Sequence, residues 1–306
     1  MKTIDKPTGS EPQTSAVFAA MFFAVFALAS SSIFIAKLEQ VPAIVIAFYR
    51  MAIATALLMP VAIALKRREL MAFTRRDLLL LLLGGVCLAI HFGAWFTSLK
   101  YIPIATSVVL VNSHPLFVVI ASAVFLGEKP RARSLAGTLM GLAGMLVISR
   151  DALAATQQSE SSHALLGDAL AVVGALAVVG YFIVGRKARA HMSLLGYATP
   201  LYAVCAVCLL LWTLITRSQL APYNAIAWMY FILLAVVPTI LGHTVFNWAL
   251  RHVRPSTISL AFLGEPVVAG LLAFIIFGQH PPLATFIGGA LILAGIYLTT
   301  SARPTA

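Results

Sequence analysis

Long apolar runs separated by short polar connections make up most of this chain. A helix needs about 20 residues to cross the ~30 Å hydrocarbon core of a bilayer. Ten runs come close to this length, at approximately 16–36, 42–65, 78–98, 104–126, 134–149, 165–185, 194–215, 226–249, 256–277 and 283–300. They are apolar on every face and do not alternate between apolar and polar positions. The pattern therefore predicts an all-α polytopic membrane protein with ten transmembrane helices.

Composition supports the same class. Of the 306 residues, 61% are hydrophobic and only 10% are charged, which is too few to cover the surface of a soluble chain of this length. The first run is longer than the apolar part of a signal peptide, and further spans follow it directly. We therefore expect it to remain as the first helix of an integral membrane protein surrounded by lipid.

Positive charge is distributed unevenly among the connections. The net charge is +11, and of the 21 Lys and Arg residues only Arg50 lies deep in a run. Sixteen of the others fall on one predicted side, whereas only Lys37, Lys100, Arg150 and Arg217 fall on the other. The positive-inside rule then places both termini in the cytoplasm. Topology accounts for the excess of charge, so we expect no nucleic-acid partner.

The second half of the chain repeats the first at an offset of 151 residues. Residues 91–148 align with 242–299 without a gap. Prolines and glycines recur at the same spacing, including Thr106/Thr257, Pro115/Pro266, Gly127/Gly278, Pro130/Pro281, Gly137/Gly288 and Gly144/Gly295. Each copy spans five helices, and an odd number inserts the second copy upside down. Inverted repeats of this kind are typical of transporters, with the substrate site near the membrane midplane between the copies.

The repeat defines the predicted units of the chain. They are a cytoplasmic tail at 1–15, a first five-helix repeat at 16–149, an external linker at 150–164, a second five-helix repeat at 165–300 and a cytoplasmic tail at 301–306.

Three sequence stretches carry a resemblance to a known family. "FYRM" in the second run, the stretch from "LKYIPIATSVVLVNSHP" to "LGEKP" and the stretch "LRHVRPSTISLAFLGEP" resemble the two EamA repeats of the drug/metabolite transporter superfamily. Gln279 departs from the pattern, because the first copy has Glu128 there and the family usually has Glu in both. The resemblance implies a ten-helix carrier, often an exporter of amino acids and other small metabolites.

Two charged residues lie near mid-membrane. Arg50 is the only deep cation and Glu265 the only deep acid. A charge at the centre of a bilayer costs at least ~2.5–3.5 kcal/mol, so such residues usually face a partner or a wet cavity. Both are therefore candidates for substrate binding. The alternative is a structural ion pair, or a Glu265 that is protonated and merely hydrogen-bonded.

A proline follows a polar residue at equivalent places in both copies. Pro115 follows His114, and Pro266 follows Glu265. A proline removes a backbone donor and opens the preceding turn of the helix. We therefore interpret Pro115 and Pro266 as hinges, and His114 as a substrate contact.

Polar and aromatic stripes complete the candidate site. Ser107 lies on the face of His114, Trp95 lies four residues after His91, and Asn247 lies four after His243; Tyr49 precedes the deep cation. We expect Tyr49, Trp95, Ser107 and Asn247 to contact substrate, the alternative being hydrogen bonds between helices. The three cysteines are expected to be inert, and neither metal nor cofactor is expected.

These patterns together predict a carrier and not an enzyme. The expected activity is movement of a small metabolite, such as an amino acid, across a bacterial inner membrane by alternating access, with export as the direction. A nucleotide-derived or lipid-linked substrate is the alternative, and an intramembrane enzyme is a further one, although no paired deep carboxylates occur. A monomer or a homodimer is expected.

Reporter fusions test the predicted topology. Fusions after residue 70 and after residue 303 should both report a cytoplasmic position, because sixteen basic residues lie on that side. A fusion near residue 155 should report an external one. Readings on opposite sides for 70 and 303 would remove the inverted repeat, and with it the sequence argument for a carrier.

Overall fold

The computed structural model describes residues 14–102, 104–128, 131–156, 164–277 and 283–300, and every regular element in these ranges is a helix. The helices are α1 (Thr14–Ala36), α2 (Ala43–Met71), α3 (Arg75–Ser98), α4 (Ile104–Val111), α5 (His114–Leu126), α6 (Ala132–Thr156), α7 (Ala164–Arg189), α8 (Leu194–Ile215), α9 (Ala225–Leu234), a π-helical segment (Ala235–His243), α10 (Thr244–Ala249), α11 (Pro255–Phe262), α12 (Glu265–Phe277) and α13 (Leu283–Thr300).

Parts of the predicted units lie outside the described residues. These are almost all of the first tail, residues 157–163 of the linker, Gln279 and the tail 301–306.

Nine stretches of the described residues are long and apolar enough to cross a membrane. Three of them combine consecutive helices, namely α4 with α5, α9 through α10, and α11 with α12. The last apolar helix, Leu283–Thr299, is shorter. An all-helical membrane protein is thus confirmed, while the tenth span stays a prediction.

The outer faces of the helices carry large apolar side chains. Phe23 of α1 is 70% exposed, Val124 of α5 is 70% exposed and Ile275 of α12 is 67% exposed. Exposed apolar surface of this extent is unfavourable in water, and it matches the hydrocarbon that surrounds a membrane helix. The exposed faces therefore agree with the membrane assignment.

Polar residues at the helix starts fix where three of the long helices begin. Thr74 and Asp77 form a capping box at α3, in which the Asp77 carboxylate accepts the Thr74 backbone N–H at 2.9 Å and the Thr74 hydroxyl accepts the Asp77 N–H at 3.2 Å. Ser193 caps α8 and Asn224 caps α9 by a single bond each, in which the side-chain oxygen accepts the backbone N–H of Gly196 and Ala227, respectively. Backbone N–H groups at these helix starts are thereby hydrogen-bonded by side chains from the same part of the sequence.

Two helix breaks occur at equivalent positions of the repeat. The span containing Pro115 breaks after Val111 and resumes at His114, and the span containing Pro266 breaks after Phe262 and resumes at Glu265. The two helix ends are 151 residues apart, and so are the two helix starts, which is the offset of the repeat. The proline pair therefore marks true interruptions of the helices.

The helices α6 and α13 pack closely through glycines. A Cβ atom at Gly137 would lie 2.5 Å from the Gly295 carbonyl oxygen, and one at Gly144 would lie 2.5 Å from the Gly288 carbonyl oxygen. The residue numbers increase along α6 as those of the contacted glycines decrease along α13, so the two helices run antiparallel. Gly137 corresponds to Gly288 in the repeat, and Gly144 corresponds to Gly295. Gly137 thus packs against the counterpart of Gly144, and Gly144 packs against the counterpart of Gly137. These glycines therefore allow close packing of the two helices.

Several connections meet at one end of the molecule. His191 Nε2 lies 2.7 Å from Asp77 Oδ1, and the Ser193 backbone N–H donates to Glu69 Oε1 at 2.7 Å. Arg186 Nε lies 3.7 Å from Glu128 Oε1. These contacts join the connections after α2, α5 and α7, all of which belong to the basic side of the sequence.

Substitution of a contact glycine should destabilise the fold. Gly144→Ala places a Cβ against backbone, which side-chain movement cannot relieve, so we expect a loss of about 1–3 kcal/mol. The control is Gly270→Ala, whose Cβ would meet only the Thr285 methyl at 3.5 Å. Thermal unfolding in detergent compares the two variants, and equal midpoints would contradict close packing of α6 on α13.

Candidate functional site

A cavity of about 400 Å³ lies between α1, α2, α3, the two helix breaks and the π-helical segment. Its wall is mostly apolar. The polar side chains that line it are Ser31, Arg50, His91, Trp95, Asn112, His114, His243 and Glu265. The cavity brings together residues from both halves of the chain, as expected of a site between repeats.

Arg50 enters the cavity from α2 and is held on three sides. It is 3% exposed. Its Nε donates to Thr239 Oγ1 at 2.7 Å, and its Nη1 donates to Ser31 Oγ at 3.5 Å. Its Cζ lies 5.0 Å from the ring centroid of Phe92, which adds a cation–π contact. The guanidinium is therefore fixed by groups from α1, α3 and the π-helical segment.

Four buried nitrogen atoms around the cavity have no hydrogen-bond partner among the described residues. They are Arg50 Nη2, Trp95 Nε1, His114 Nδ1 and His243 Nδ1. Buried polar atoms are rarely left unpaired, because each lost hydrogen bond costs about 1–3 kcal/mol. Four of them around one cavity point to a polar ligand or to water.

His91 differs from the other two imidazoles because it has a partner. Its Nδ1 lies 2.9 Å from the Gly174 carbonyl oxygen. A carbonyl can only accept, so Nδ1 carries the proton. Its other nitrogen is then an acceptor when the ring is neutral. His91 ties α3 to α7 and also lines the cavity.

Glu265 lines the same cavity as the guanidinium. The two groups attract each other electrostatically, but the described residues contain no ion-pair contact between Arg50 and Glu265. Glu265 is half-buried at the start of α12, and no hydrogen bond to its carboxyl group is found among the described residues. The alternative of a direct structural ion pair therefore has no support in this conformation, and the guanidinium and the carboxyl group line one cavity at separate points.

Aromatic rings form the floor of the cavity. Phe262 lies edge-on to His114 at 6.0 Å and to His243 at 5.9 Å between ring centroids. Phe92 lies edge-on to His243 at 5.9 Å, and the rings of His91 and Trp95 are 5.8 Å apart. Such edge contacts hold rings in fixed orientations. Aromatic and imidazole rings thus pack against one another along this part of the cavity wall.

The cavity extends toward one end of the helices only. Its lining includes Ala36 and Ala43, on either side of the connection between α1 and α2, and Leu99 just after α3. This is the end opposite to the contacts of Asp77, Glu69 and Glu128.

Buried hydrogen bonds fill the other end. The Tyr181 hydroxyl donates to Asn247 Oδ1 at 2.5 Å, and Asn247 Nδ2 donates to the Tyr202 hydroxyl at 3.1 Å. Arg189 Nε donates to the Asn247 carbonyl oxygen at 3.0 Å, and Arg186 Nη1 donates to that of Leu250 at 2.5 Å. These bonds connect α7, α8 and α10. The end near the basic connections is therefore closed.

The structure gathers five of the sequence candidates at the cavity. Arg50, Trp95, His114, Glu265 and the hinge candidate Pro266 all line it, and Pro115 follows His114 directly. Their roles in binding and bending stay predictions.

Three other candidates lie away from the cavity. The Tyr49 hydroxyl donates to the Leu220 carbonyl oxygen at 2.7 Å, and its ring stacks on Phe231. Ser107 Oγ lies 2.6 Å from Ser98 Oγ, and Asn247 belongs to the closed end. In this conformation Ser107 and Asn247 have the interhelical hydrogen bonds that were the alternative interpretation, whereas Tyr49 bonds to the connection between α8 and α9. A substrate contact for them stays untested.

Sequence reasoning left out several lining residues. His243 was seen only as part of a stripe, and Ser31, Phe92, Asn112 and Phe262 were not singled out. Asn112 lies two residues before His114, so its position next to a polar break was a usable signal. Phe92 and Phe262 carried none, because apolar residues in apolar runs are indistinguishable by pattern.

The described residues offer no obvious metal chemistry. Within them, no three His, Cys, Asp or Glu side chains are grouped closely enough to hold a metal ion. Cys87, Cys205 and Cys208 are all free thiols.

The fold and cavity are those of a membrane transporter, and comparison with known proteins agrees. The EamA-like transporter family matches residues 15–150 and again 165–301. The chain therefore belongs to the EamA-like transporter family, within the drug/metabolite transporter superfamily.

Individual relatives carry transporter names. An "Uncharacterized transporter" of Archaeoglobus fulgidus is 28% identical over 89% of this chain and 93% of its own length. The "Pseudopaline exporter CntI" of Pseudomonas aeruginosa is 28% identical over 82% of this chain and 84% of its own. The "Probable terminal-alkyne amino-acid exporter" of Streptantibioticus cattleyicolor is 28% identical over 65% of this chain and 64% of its own.

A solved structure shares the fold. It is titled "Crystal structure of protein" and superposes with a TM-score of 0.81 over 94% of this chain and 98% of its own, at 20% identity. Similarity at this identity concerns the fold alone.

Asn247 and Asn112 should respond differently to truncation. Asn247→Ala leaves the Tyr181 and Tyr202 hydroxyls without their amide partner, so we expect a stability loss of about 1–2 kcal/mol. Asn112→Ala is the control, because its amide bonds the Val108 carbonyl of the helix that it directly follows, at 3.0 Å, and joins no second helix. Thermal unfolding of both variants is the measurement. An Asn247→Ala variant as stable as Asn112→Ala would count against a closed end held by this amide.

Proposed function

We propose that the protein is a carrier that exports a small zwitterionic metabolite with an apolar side chain, such as an amino acid, across a bacterial inner membrane by alternating access. One observation carries this proposal. The cavity presents an unpaired guanidinium nitrogen of Arg50 and the carboxyl group of Glu265 at separate points, between apolar and aromatic walls.

The charges and walls of the cavity match such a substrate. A carboxylate on the substrate would take the free donor of Arg50 in a charge-assisted hydrogen bond. An ammonium group on the same molecule would lie toward Glu265, and an apolar side chain would pack on Phe262 and Phe92. The volume lies at the lower end of the ~300–1,000 Å³ typical of small-molecule sites. Each part of a zwitterion thus has a complementary group.

The symmetry of the helices supports alternating access. Helix breaks recur at the same offset, and α6 packs antiparallel on α13 through equivalent glycines. Both features are expected when the two five-helix copies, 16–149 and 165–300, are inverted relative to each other. Carriers with such copies expose a central site to either side in turn.

The direction of opening supports an outward-facing state. The cavity extends toward the end that the charge distribution assigns to the outside, and the opposite end is closed near Arg186 and Arg189. With both termini in the cytoplasm, this conformation is the one from which an exporter releases its substrate. The names of two relatives, a pseudopaline exporter and a probable amino-acid exporter, are consistent with export.

A nucleotide-derived or lipid-linked substrate is less well supported. A phosphate or diphosphate group is usually neutralised by several cationic donors. Within the described residues the cavity offers one arginine, and its other polar groups are three imidazoles, a hydroxyl, an indole, one amide and a carboxyl group. This set suits a single carboxylate better than a diphosphate.

Transport of L-leucine into proteoliposomes tests the role of Arg50. Arg50→Lys should raise the half-saturating concentration of L-leucine about tenfold, or about 1.4 kcal/mol, because an ammonium cannot reproduce the planar donor set of a guanidinium. Isopentylamine, which lacks the carboxylate, should be transported equally by both proteins. Thermal unfolding checks that the variant is folded.

Three results would contradict the proposal. They are the absence of L-leucine transport by the unchanged protein, equal half-saturation by Arg50→Lys, and an equal loss for isopentylamine. Conversion of L-leucine into another compound would indicate an enzyme in place of a carrier.

The proposed hinges can be tested separately from binding. Pro115 and Pro266 lie where two helices are interrupted, so bending is least costly there. Pro115→Ala and Pro266→Ala should each lower the maximal rate of L-leucine transport several-fold while changing the half-saturating concentration by less than about twofold. Pro60→Ala, within α2 and away from both helix breaks, serves as the control. Unchanged maximal rates in both variants would assign the prolines to packing alone.

A further inference from the structure

The segment that faces Arg50 has an unusual backbone. Residues Ala235–His243 form a π-helix, in which each N–H bonds the carbonyl five residues earlier, as the Thr244 N–H does with Thr239. Wide turns of this kind are rare and often occur at functional sites. Pro238 lies inside the segment and removes one backbone donor. The wide turn determines where the next residue, Thr239, directs its side chain.

The Thr239 hydroxyl has a fixed orientation. It is fully buried and donates its proton to the Leu234 carbonyl oxygen, five residues earlier, at 2.9 Å. Since a hydroxyl has a single proton, its oxygen can only accept from Arg50 Nε, which lies at 2.7 Å. The π-helical register thus turns a threonine into an acceptor for the guanidinium.

The contacts of Arg50 leave one edge of the guanidinium free. Nε is bound by Thr239, Nη1 points to Ser31, and the face of the group lies on Phe92. Nη2 has no partner among the described residues. The Thr239 bond is the shorter of the two hydrogen bonds, at 2.7 Å against 3.5 Å. It is therefore the main restraint on rotation of the group within its plane.

We propose that Thr239 is a positioning residue that holds Arg50 with its Nη2 edge toward the substrate carboxylate. The inference rests on the proposed function, because it assigns the orientation of the cation that the proposal uses. Thr239 itself touches no substrate, and it does not line the cavity. Its contribution is to fix the donor before the substrate arrives, which lowers the cost of binding.

Two variants of Thr239 separate positioning from packing. Thr239→Val keeps the branched shape and removes the acceptor, whereas Thr239→Ser keeps the hydroxyl. In proteoliposomes, Thr239→Val should raise the half-saturating concentration of L-leucine about tenfold, equivalent to about 1.4 kcal/mol. The maximal rate and the transport of isopentylamine should not change. Thr239→Ser should stay within about twofold of the unchanged protein.

A stability cycle tests the contact independently of transport. Thr239→Val should lower the thermal midpoint in detergent, because it leaves Arg50 Nε unpaired. In an Arg50→Met background the same change should lower the midpoint by less, because only the hydrogen bond from the Thr239 hydroxyl to the Leu234 carbonyl is then lost. Additive effects of the two changes would overturn the proposed contact.

The outcomes distinguish this inference from the proposed function. If Arg50→Lys weakens L-leucine transport and Thr239→Val does not, positioning by Thr239 is overturned and the function stands. A loss in Thr239→Ser equal to that in Thr239→Val, or a loss confined to the maximal rate, also overturns it. If neither Arg50→Lys nor Thr239→Val alters half-saturation, or if L-leucine is not transported, the proposed role of Arg50 fails and the positioning role fails with it.

Discussion

A guanidinium at mid-membrane must be stabilised by protein groups, and much of the central architecture can be related to this requirement. Placing the group there costs at least ~2.5–3.5 kcal/mol if nothing compensates. Thr239, Ser31 and the face of Phe92 compensate for it here, and they come from three different spans. The compensation is incomplete, because Nη2 has no partner among the described residues. One strong hydrogen-bond donor, Nη2 of Arg50, therefore remains available at a mostly apolar cavity.

The irregular backbone is found around the same cavity. In a membrane, interrupted helices are tolerated only where protein or a water-filled cavity covers the freed polar groups. The breaks before His114 and Glu265 and the π-helical segment all border the cavity. The α6–α13 contact has uninterrupted helices and glycine surfaces instead. The site therefore combines α1, α2 and α3 with the interrupted helices, whereas α6 and α13 form a supporting contact.

The sequence predicted those features that break a local pattern. Arg50 and Glu265 were conspicuous because charges are rare in apolar runs, and Pro115 and Pro266 because they recur at one offset. The π-helical turn was not predictable, since hydrophobic periodicity cannot distinguish a wide turn from an ordinary one over nine residues. Helical spacing gave the face of Ser107 and Asn247 but not their partners: both faces meet other helices, where polar groups bond to each other. Phe262 could not be predicted to line the cavity, because this depends only on its position in three dimensions.

The hydrogen bonds of Asn247 continue as far as Thr239, which holds Arg50 at the cavity, and this continuity has a thermodynamic consequence. Asn247 donates to Tyr202; because the Thr244 hydroxyl gives its proton to the Thr239 carbonyl, Tyr202 must donate to Thr244. One unbroken series thus joins the closed end to the residue that holds Arg50. If occupation of the cavity changes the free energy of this series of hydrogen bonds, the change is a coupling free energy, and such coupling is reciprocal. Loosening the closed end would therefore change the affinity for substrate by a certain factor, and substrate would change the closing equilibrium by the same factor. This would hold although the substrate and the closed end do not touch each other.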